Sequence, residues 1–369
     1  MTIPLSLLGH ADTTQYDAQL NRKIEKTQRE FSAYIRPEQL DVFASPPSHF
    51  RMRAEFKVWH EGDTAFYAMY SPGESKKAIK IEHEFSIGSK AMTTLMPPLL
   101  AEINTSSSLK HRLFQIEFLT SQAGECLVTL IYHRPLNDEW EENAIKLGEK
   151  FGIQIIGRSR KQKRTLHTDH IHETFKVGEQ TYTYKQVESG FTQPNAAICE
   201  KMLNWAVEKT AHLSGDLVEL YCGNANFTLP LSKNFGHVIA TEISKTSVRS
   251  ALNNITGNNI HNIDVLRMSS EEFTQALNKE REFKRLKDIN LDDYNFTTLF
   301  LDPPRAGLDE ATLTLASQFK HIIYISCNPD TLQHNIQALA HTHHIESMAL
   351  FDQFPYTDHR ECGVILTQK

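Results

Sequence analysis

The sequence has no run of about 18 consecutive apolar residues, the length a helix needs to cross a bilayer. Its opening, MTIPLSLLGHADTTQYD, has neither a basic n-region nor a long apolar h-region, which predicts no secretory signal. It has no Cys-x-x-Cys pair. Cys126, Cys199, Cys222, Cys327 and Cys362 lie far apart. An odd, scattered set excludes a disulfide framework and a Cys-only zinc or iron–sulfur cluster, and predicts a reducing, cytoplasmic setting. No internal repeat or low-complexity tract is present. There is no excess of positive charge either: 39 Lys+Arg stand against 45 Asp+Glu, a net −6. On that balance alone nucleic acid is a poor partner. What remains is a 369-residue chain, 40% hydrophobic and 23% charged, which suits two globular domains.

The charge is unevenly divided. Residues 1–190 hold 24 basic and 24 acidic side chains, so all six excess negative charges belong to the rest. The first half reads as α+β. Residues 15–31 are polar and helix-prone. In 51–59, Met52, Ala54, Phe56 and Val58 alternate with Arg51, Arg53, Glu55 and Lys57, which predicts a half-buried strand with a basic outer face. Strands are expected at 64–70 and 77–82, and a helix over 89–103 interrupted at Pro97-Pro98. A strand pair follows at 113–121 and 125–133, then a helix at 138–150, a strand at 152–158 and a hairpin over 173–188. The run Arg158–Arg164 holds five basic residues and no acid, and reads as an exposed linker or a phosphate track.

The second half alternates apolar strands with helices: 217–222, 237–243, 262–268, 297–302 and 321–327. That pattern indicates a parallel, doubly wound sheet. Two final strands, 347–354 and 362–368, are expected to close it with an antiparallel pair. Ligands bind such sheets at the carboxyl edge, and four motifs fall there. Glu219-Leu-Tyr221-Cys-Gly223-Asn-Ala-Asn226 follows the first strand, and Glu242 ends the next, where an acid can accept ribose hydroxyls. The loop is neither G-x-G-x-x-G nor a P-loop, so a nucleoside without phosphates suits it, S-adenosyl-L-methionine above all. Asp302-Pro-Pro-Arg305 is a stiff corner holding an acid, without the aromatic that amino-group methylation would use. Cys327 ends an apolar strand before Asn328-Pro329, where a helix N-terminus is expected to lower its pKa. The 352–361 segment offers Asp358, His359 and Glu361 for proton transfer.

A methyl donor, a nucleophilic thiol and a base together suggest methylation at carbon. C5 of uracil is a poor nucleophile until a thiolate adds to C6. The C5 carbon can then attack an electrophilic methyl, a base removes the C5 proton, and elimination releases the thiol. Taken singly, each candidate also has an ordinary reading: a β–α turn, a rigid corner, a buried small hydrophobe, a solvated loop charge.

The chain resembles the RNA uracil-C5 methyltransferases over essentially its whole length. The resemblance rests on Phe191-Thr-Gln193-Pro194-Asn195, Glu219-Leu-Tyr221-Cys-Gly223-Asn, Asp302-Pro-Pro-Arg305, Ser326-Cys327-Asn328-Pro329 and Asp358-His-Arg-Glu361-Cys-Gly363. It implies Cys327 as nucleophile and Glu361 as base. It also implies Gln193, Tyr221, Asn226, Glu242 and Asp302 as S-adenosyl-L-methionine contacts, and no metal. The implied fold is α/β: a Rossmann-like methyltransferase sheet over 189–369, parallel with an antiparallel end strand, and an α+β RNA-recognition domain over 1–188. Ala225 departs from the family's Gly-Asn-Gly-Asn loop, and a left-handed backbone there would strain it by roughly 1 kcal/mol.

Relatives acting on ribosomal RNA often carry a β-barrel module and a four-cysteine iron–sulfur site; this sequence has one cysteine before residue 199. The tRNA-type enzymes are the better match, which implies uridine 54 of the tRNA T-loop, and the equivalent in tmRNA, as target. A stacked base must be flipped to react. The resemblance marks Phe114 as the ring that fills the gap, or else a core residue. Arg51, Arg53 and Lys57 are candidate phosphate contacts, or else a solvated strand face. His341, His343 and His344 are more readily a helix end beside a strand than a metal site. The competing functions are a noncatalytic tRNA-binding or folding protein and methylation of a ribosomal uridine. No membrane and no obligate protein partner are expected.

Overall fold

In the computed structural model the described residues are 8–70 and 78–369. Residues 1–7 of the opening segment, and Lys77 at the head of the expected 77–82 strand, lie outside them. The chain forms two compact units, 1–14 with 46–174 and 185–196, and 15–45 with 175–184 and 197–369.

The first unit is built on a seven-stranded sheet. Its order is Ala78–Lys80, Thr64–Tyr70, Arg53–Glu61, Leu113–Thr120, Cys126–Tyr132, Gln154–Ser159 and Gln162–Thr165. The alternation read in the sequence places Ala54, Phe56 and Val58 in the core, with Leu99, Ile103 and Trp140 from the helices Lys90–Thr105 and Asp138–Phe151. All neighbours are antiparallel except Cys126–Tyr132 and Gln154–Ser159, which the second helix connects in parallel. Gly157 is needed beneath that helix, because a Cβ there would lie 2.2 Å from Trp140.

Two expectations fail in this unit. The helix Lys90–Thr105 is not interrupted but runs through Pro97-Pro98. Its Leu95, Met96, Leu99 and Ile103 are buried, so tertiary packing outweighs the missing amide. The basic run is not a linker either. It forms the tight hairpin Gln154–Ser159/Gln162–Thr165, with Lys161 at φ 62°. Arg158 donates to both oxygens of Glu188 at 2.6 Å, Lys163 adds a bond at 3.1 Å, and Arg164 pairs with Asp138 and Glu141.

The second unit holds an eight-stranded sheet. Its order is Leu40–Phe43, His343–Phe351, Glu361–Gln368, His321–Ser326, Phe296–Leu301, Asp216–Leu220, Val238–Thr241 and Ile263–Leu266. Glu361–Gln368 runs against both of its neighbours, and every other pairing is parallel. The antiparallel strand is therefore the last in sequence but third from the sheet's edge. The edge itself is Leu40–Phe43, which pairs in parallel with Met348–Phe351.

A single cut after residue 188 consequently does not describe the chain. Residues 15–45 supply the sheet's edge strand and the helix Tyr16–Glu30 to the second unit, and the hairpin His170–Val177/Gln180–Val187 is shared between the two. The helix was easy to misplace because its buried face is largely polar: Tyr16, Gln19, Lys23 and Thr27, with Leu20. Hydropathy carries no sign of such a face.

The inserted strand needs a glycine. A Cβ on Gly363 would stand 2.8 Å from the buried Trp205 ring and 3.1 Å from Ile325. Gly363→Ala is expected to lower stability by about 1–3 kcal/mol through overpacking. A urea midpoint equal to that of the unsubstituted protein would show that Trp205 yields freely.

Candidate active site

Parallel strands deliver their last residues to one edge of the second unit's sheet. Leu220, Thr241, Leu301 and Ser326 end there. Because Glu361–Gln368 is reversed, its first residue arrives at the same edge. Phe351 pairs with Glu361 and Ser326 with Cys362. Cys327 and Glu361 are the next residues out from that last pair, and the charge of Glu361 acts on the Cys327 thiol.

The loop after Asp216–Leu220 is strongly wound. Tyr221, Gly223 and Ala225 take φ of 64°, 57° and 67°. Ala225 takes the left-handed backbone on which the expected strain was conditional, a conformation that costs about 1–2 kcal/mol. Its methyl is fully buried, and its amide donates to the Cys222 carbonyl at 2.8 Å. The winding turns the Gly223 amide toward Glu242, whose carboxylate accepts it at 3.1 Å and the Ser244 amide at 2.6 Å. Glu242 is thus fixed with acceptor capacity to spare, since a carboxylate has about four lone-pair sites. Gly223 has open space on the side a Cβ would occupy. The Tyr221 hydroxyl donates to Ser270 at 3.1 Å, and the Asn226 amide nitrogen lies 3.4 Å from Cys199 Sγ. Beneath the loop, buried Glu219 has an Oε2 with no hydrogen-bond partner. An open glycine, an anchored acid and an orphaned buried acceptor fit a nucleoside with a cationic portion.

Asp302 follows Phe296–Leu301 and is held by Pro303-Pro304. The turn closes with Gly307 N donating to the Pro304 carbonyl at 2.9 Å. Gly307 is left-handed, and a Cβ there would meet Asn335 at 2.9 Å. Sequence reasoning missed Asn335. This buried amide accepts from the Leu308 amide at 3.1 Å and the Tyr324 hydroxyl at 2.9 Å, which ties the corner to the helix Pro329–Leu339. Nothing in its helical spacing sets it apart. Glu219 carried a visible signal, an acid inside the apolar run LVELYC.

The acids are crowded and dry. Burial pushes Asp302 up to about 7, although part of its surface stays open. Burial, with Asp302 adding to it, pushes Glu219 up to about 8 and holds Glu361 well above the usual carboxylate range. The thiol of Cys327 is half-buried. Burial raises its pKa, and the charges of Glu361 and Asp302 raise it further, against smaller opposing effects of its backbone amide and Arg305. The expected helix-lowered thiol is therefore not found; desolvation and two nearby carboxyls outweigh the helix end. Of the three acid–base candidates, Asp358 and His359 are exposed, whereas Glu361 is 4% exposed and faces the thiol.

Tyr221, Asn226, Glu242, Asp302, Cys327 and Glu361 thus converge within one unit. Gln193, Arg51, Arg53, Lys57 and Phe114 belong to the other. There, the Pro194 carbonyl next to Gln193 accepts the Met52 amide at 2.7 Å. Arg53 donates to the carbonyls of Glu188 and Gly190. Lys57 donates to Gln115 and sits 4.4 Å over the Phe114 ring. Phe114 is not core but half-buried, stacked on His133 at 4.0 Å. His343 is buried, with Nε2 at 2.8 Å from the Phe319 carbonyl.

The fold is that of the Rossmann-like, S-adenosylmethionine-dependent methyltransferases. A solved structure with which it superposes is the Pyrococcus abyssi tRNA (uracil-54, C5)-methyltransferase in complex with S-adenosyl-L-homocysteine. The TM-score is 0.70 at 20% identity, over 95% of this chain and 83% of that one. Residues 15–369 match the family described as tRNA (Uracil-5-)-methyltransferase, and the chain belongs to that family. Its relatives include the tRNA/tmRNA (uracil-C(5))-methyltransferases of Saccharophagus degradans, 60% identical over 98% of this chain and 99% of that one, and Teredinibacter turnerae, 56% identical over the same shares.

The raised acids carry a pH signature. Between the ordinary carboxyl range near 4 and folded values of about 7 and 8, the folded chain binds more protons than the unfolded one. Their contribution to stability is complete below about pH 4 and is lost as pH rises through 7–8. Asp302→Asn/Glu219→Gln should therefore melt progressively higher than the unsubstituted protein as pH goes from 5 to 8.5, by an amount on the order of a few kcal/mol. A melting difference independent of pH would refute the raised values.

Proposed function

We propose that this protein transfers the methyl group of S-adenosyl-L-methionine to C5 of uridine 54 in the tRNA T-loop and of the equivalent uridine in tmRNA. The observation that carries the reading is the placement of Cys327 against Glu361 at the edge that also holds Glu242 and Asp302. Family membership, and relatives named for tRNA and tmRNA, support the substrate class.

The cofactor supplies an electrophilic methyl on a sulfonium. Glu242 would take its ribose hydroxyls, Tyr221, Asn226 and Gln193 its remaining polar groups and faces, and Asp302 the cationic end. Cys327 sulfur adds to C6 of the uracil, and C5 becomes the nucleophile that accepts the methyl. Glu361 then takes the C5 proton. The C5–H electrons restore the C5=C6 bond, and the sulfur–C6 bond breaks, returning the thiolate. Glu361 must first give up its own proton to solvent and stand as the carboxylate, which the positive sulfonium favours; once ionised, its raised pKa makes it a stronger acceptor. The thiol, raised in the free protein, needs substrate in place before it ionises, which limits wasteful alkylation of Cys327.

The RNA must present a flipped base. The Phe114–His133 stack beneath Lys57 is a suitable surface for the gap left behind, joining a ring face to a cation. Arg53 serves the 188–190 segment, Lys57 donates to Gln115 and burial desolvates Arg51, so a phosphate contact from any of the three would have to add to or replace those surroundings. A cytoplasmic setting suits the proposed substrate and five cysteines of which none is in a disulfide; among the described residues no helix is long and apolar enough to cross a membrane.

Labelled methyl transfer to unmodified tRNA, with mapping of the product nucleotide, tests the reading. Label confined to ribosomal RNA would end it. Cys327→Ala should lower kcat by about a thousandfold or more while leaving tRNA affinity within a few-fold. Glu361→Gln should accumulate a methylated protein–RNA adduct at Cys327, visible as a shifted band on a denaturing gel; a variant that turns over normally would reassign the base.

A further inference from the structure

The segment 352–360 connects the two strands that meet at Phe351 and Glu361, and the helix Tyr16–Glu30 holds it at both ends. At the first end, Asp352 is fully buried. Its carboxylate receives Tyr16 Oη at 2.9 Å, Gln19 Nε2 at 2.8 Å and Lys23 Nζ at 2.7 Å. Those three residues follow one another at spacings of three and four, along one helix face. Lys23 Nζ also donates to the Phe354 carbonyl at 2.8 Å, and Gln19 Oε1 accepts the Tyr356 amide at 3.2 Å. At the other end Arg360, immediately before Glu361, is 4% exposed and forms an ion pair with Glu30 at 2.6 Å. It also donates to Thr27 Oγ1 at 3.1 Å. Tyr356 is left-handed at φ 63°, a conformation that persists only where surrounding bonds over-determine it.

This arrangement is a costly way to stabilise a fold. A buried Lys–Asp pair gains little over apolar residues of the same shape. What it does supply is a unique geometry for the segment, and that segment ends on the base. We propose that the helix Tyr16–Glu30 is a positioning device for Glu361, with Lys23 and Asp352 as positioning residues that act on proton removal and elimination rather than on thiol addition or methyl transfer. The inference rests on the function proposed above. Cys327, Asp302 and the cofactor loop hang on other strands, so loosening 352–360 acts first on the base. Misplacing a catalytic group by about 1 Å costs roughly a hundredfold in rate.

The test uses the full chain, unmodified tRNA and S-adenosyl-L-methionine. The double variant Lys23→Met/Asp352→Asn removes both charges together, so neither is left buried alone; Gln19→Met is a milder companion that changes no charge. Both should keep KM for tRNA within about threefold and still transfer the first methyl in a burst. Steady-state kcat should fall roughly ten- to a hundredfold for the double variant and less for Gln19→Met. In both, the methylated covalent adduct should build up as it does in Glu361→Gln. Unchanged kcat, or a fall in kcat with no adduct, overturns the proposal, because the loss would then precede elimination. If the double variant does not fold, Gln19→Met decides by the same readings. The Glu361→Gln adduct is the control for the underlying function: if it fails to form, the reading of the site falls, and the positioning role with it.

Discussion

One reversed strand organises this site. In a purely parallel sheet, only residues at strand ends and in the following loops reach the carboxyl edge, and neighbouring strand tips are then separated by the start of a loop. Glu361–Gln368 enters from the opposite direction, so its first two residues are held in register with the last residues of the strands on either side, Glu361 with Phe351 and Cys362 with Ser326. Backbone pairing therefore brings Glu361 and Cys327 to one edge, and the bonds from the helix Tyr16–Glu30 to the 352–360 segment act on top of that register. Backbone hydrogen bonds of a central strand are among the stiffest supports a protein offers, which is what proton transfer requires of its base.

The electrostatics follow from the same crowding. Placing Asp302, Glu219 and Glu361 near one another, largely out of water, disfavours their charged forms, and the effect extends to the thiol. Such a site is poised for a cationic guest. A sulfonium brings the positive charge that the acids lack, so cofactor binding and ionisation of the cluster favour each other. The free protein keeps its reactive groups in their less reactive states.

Much of this was readable from residue order. Largely apolar runs leading to Tyr221, Glu242, Asp302 and Cys327 located the strand ends, because a strand buried on both faces is nearly continuous in hydropathy. That Glu361 is the buried one of Asp358, His359 and Glu361 was not readable from the residues themselves; it depends on the register. The position of the antiparallel strand inside the sheet was equally hidden, since hydropathy gives a strand's existence and not its neighbours. The helix Tyr16–Glu30 was misplaced for a third reason. Its inward face presents Gln19, Lys23 and Thr27, a pattern that reads as solvent-facing until Asp352, more than 300 residues away, supplies the partner. The basic run 158–164 erred in the opposite sense: its charges looked free and are largely spent on Glu188, Asp138 and Glu141.

The edge strand Leu40–Phe43 pairs with Met348–Phe351, and the reversed strand beside them reaches Gln368. A chain made from its amino end therefore carries a helix and a strand that have nothing to dock on through most of its synthesis. The sheet cannot close, and Glu361 cannot approach Cys327, until residues in the 360s are available. Assembly of this unit must close loops of about 300 residues, a slow and entropically expensive step. A chain that stops before the 360s therefore lacks both the central strand of this sheet and the residue paired with Phe351 at its carboxyl edge.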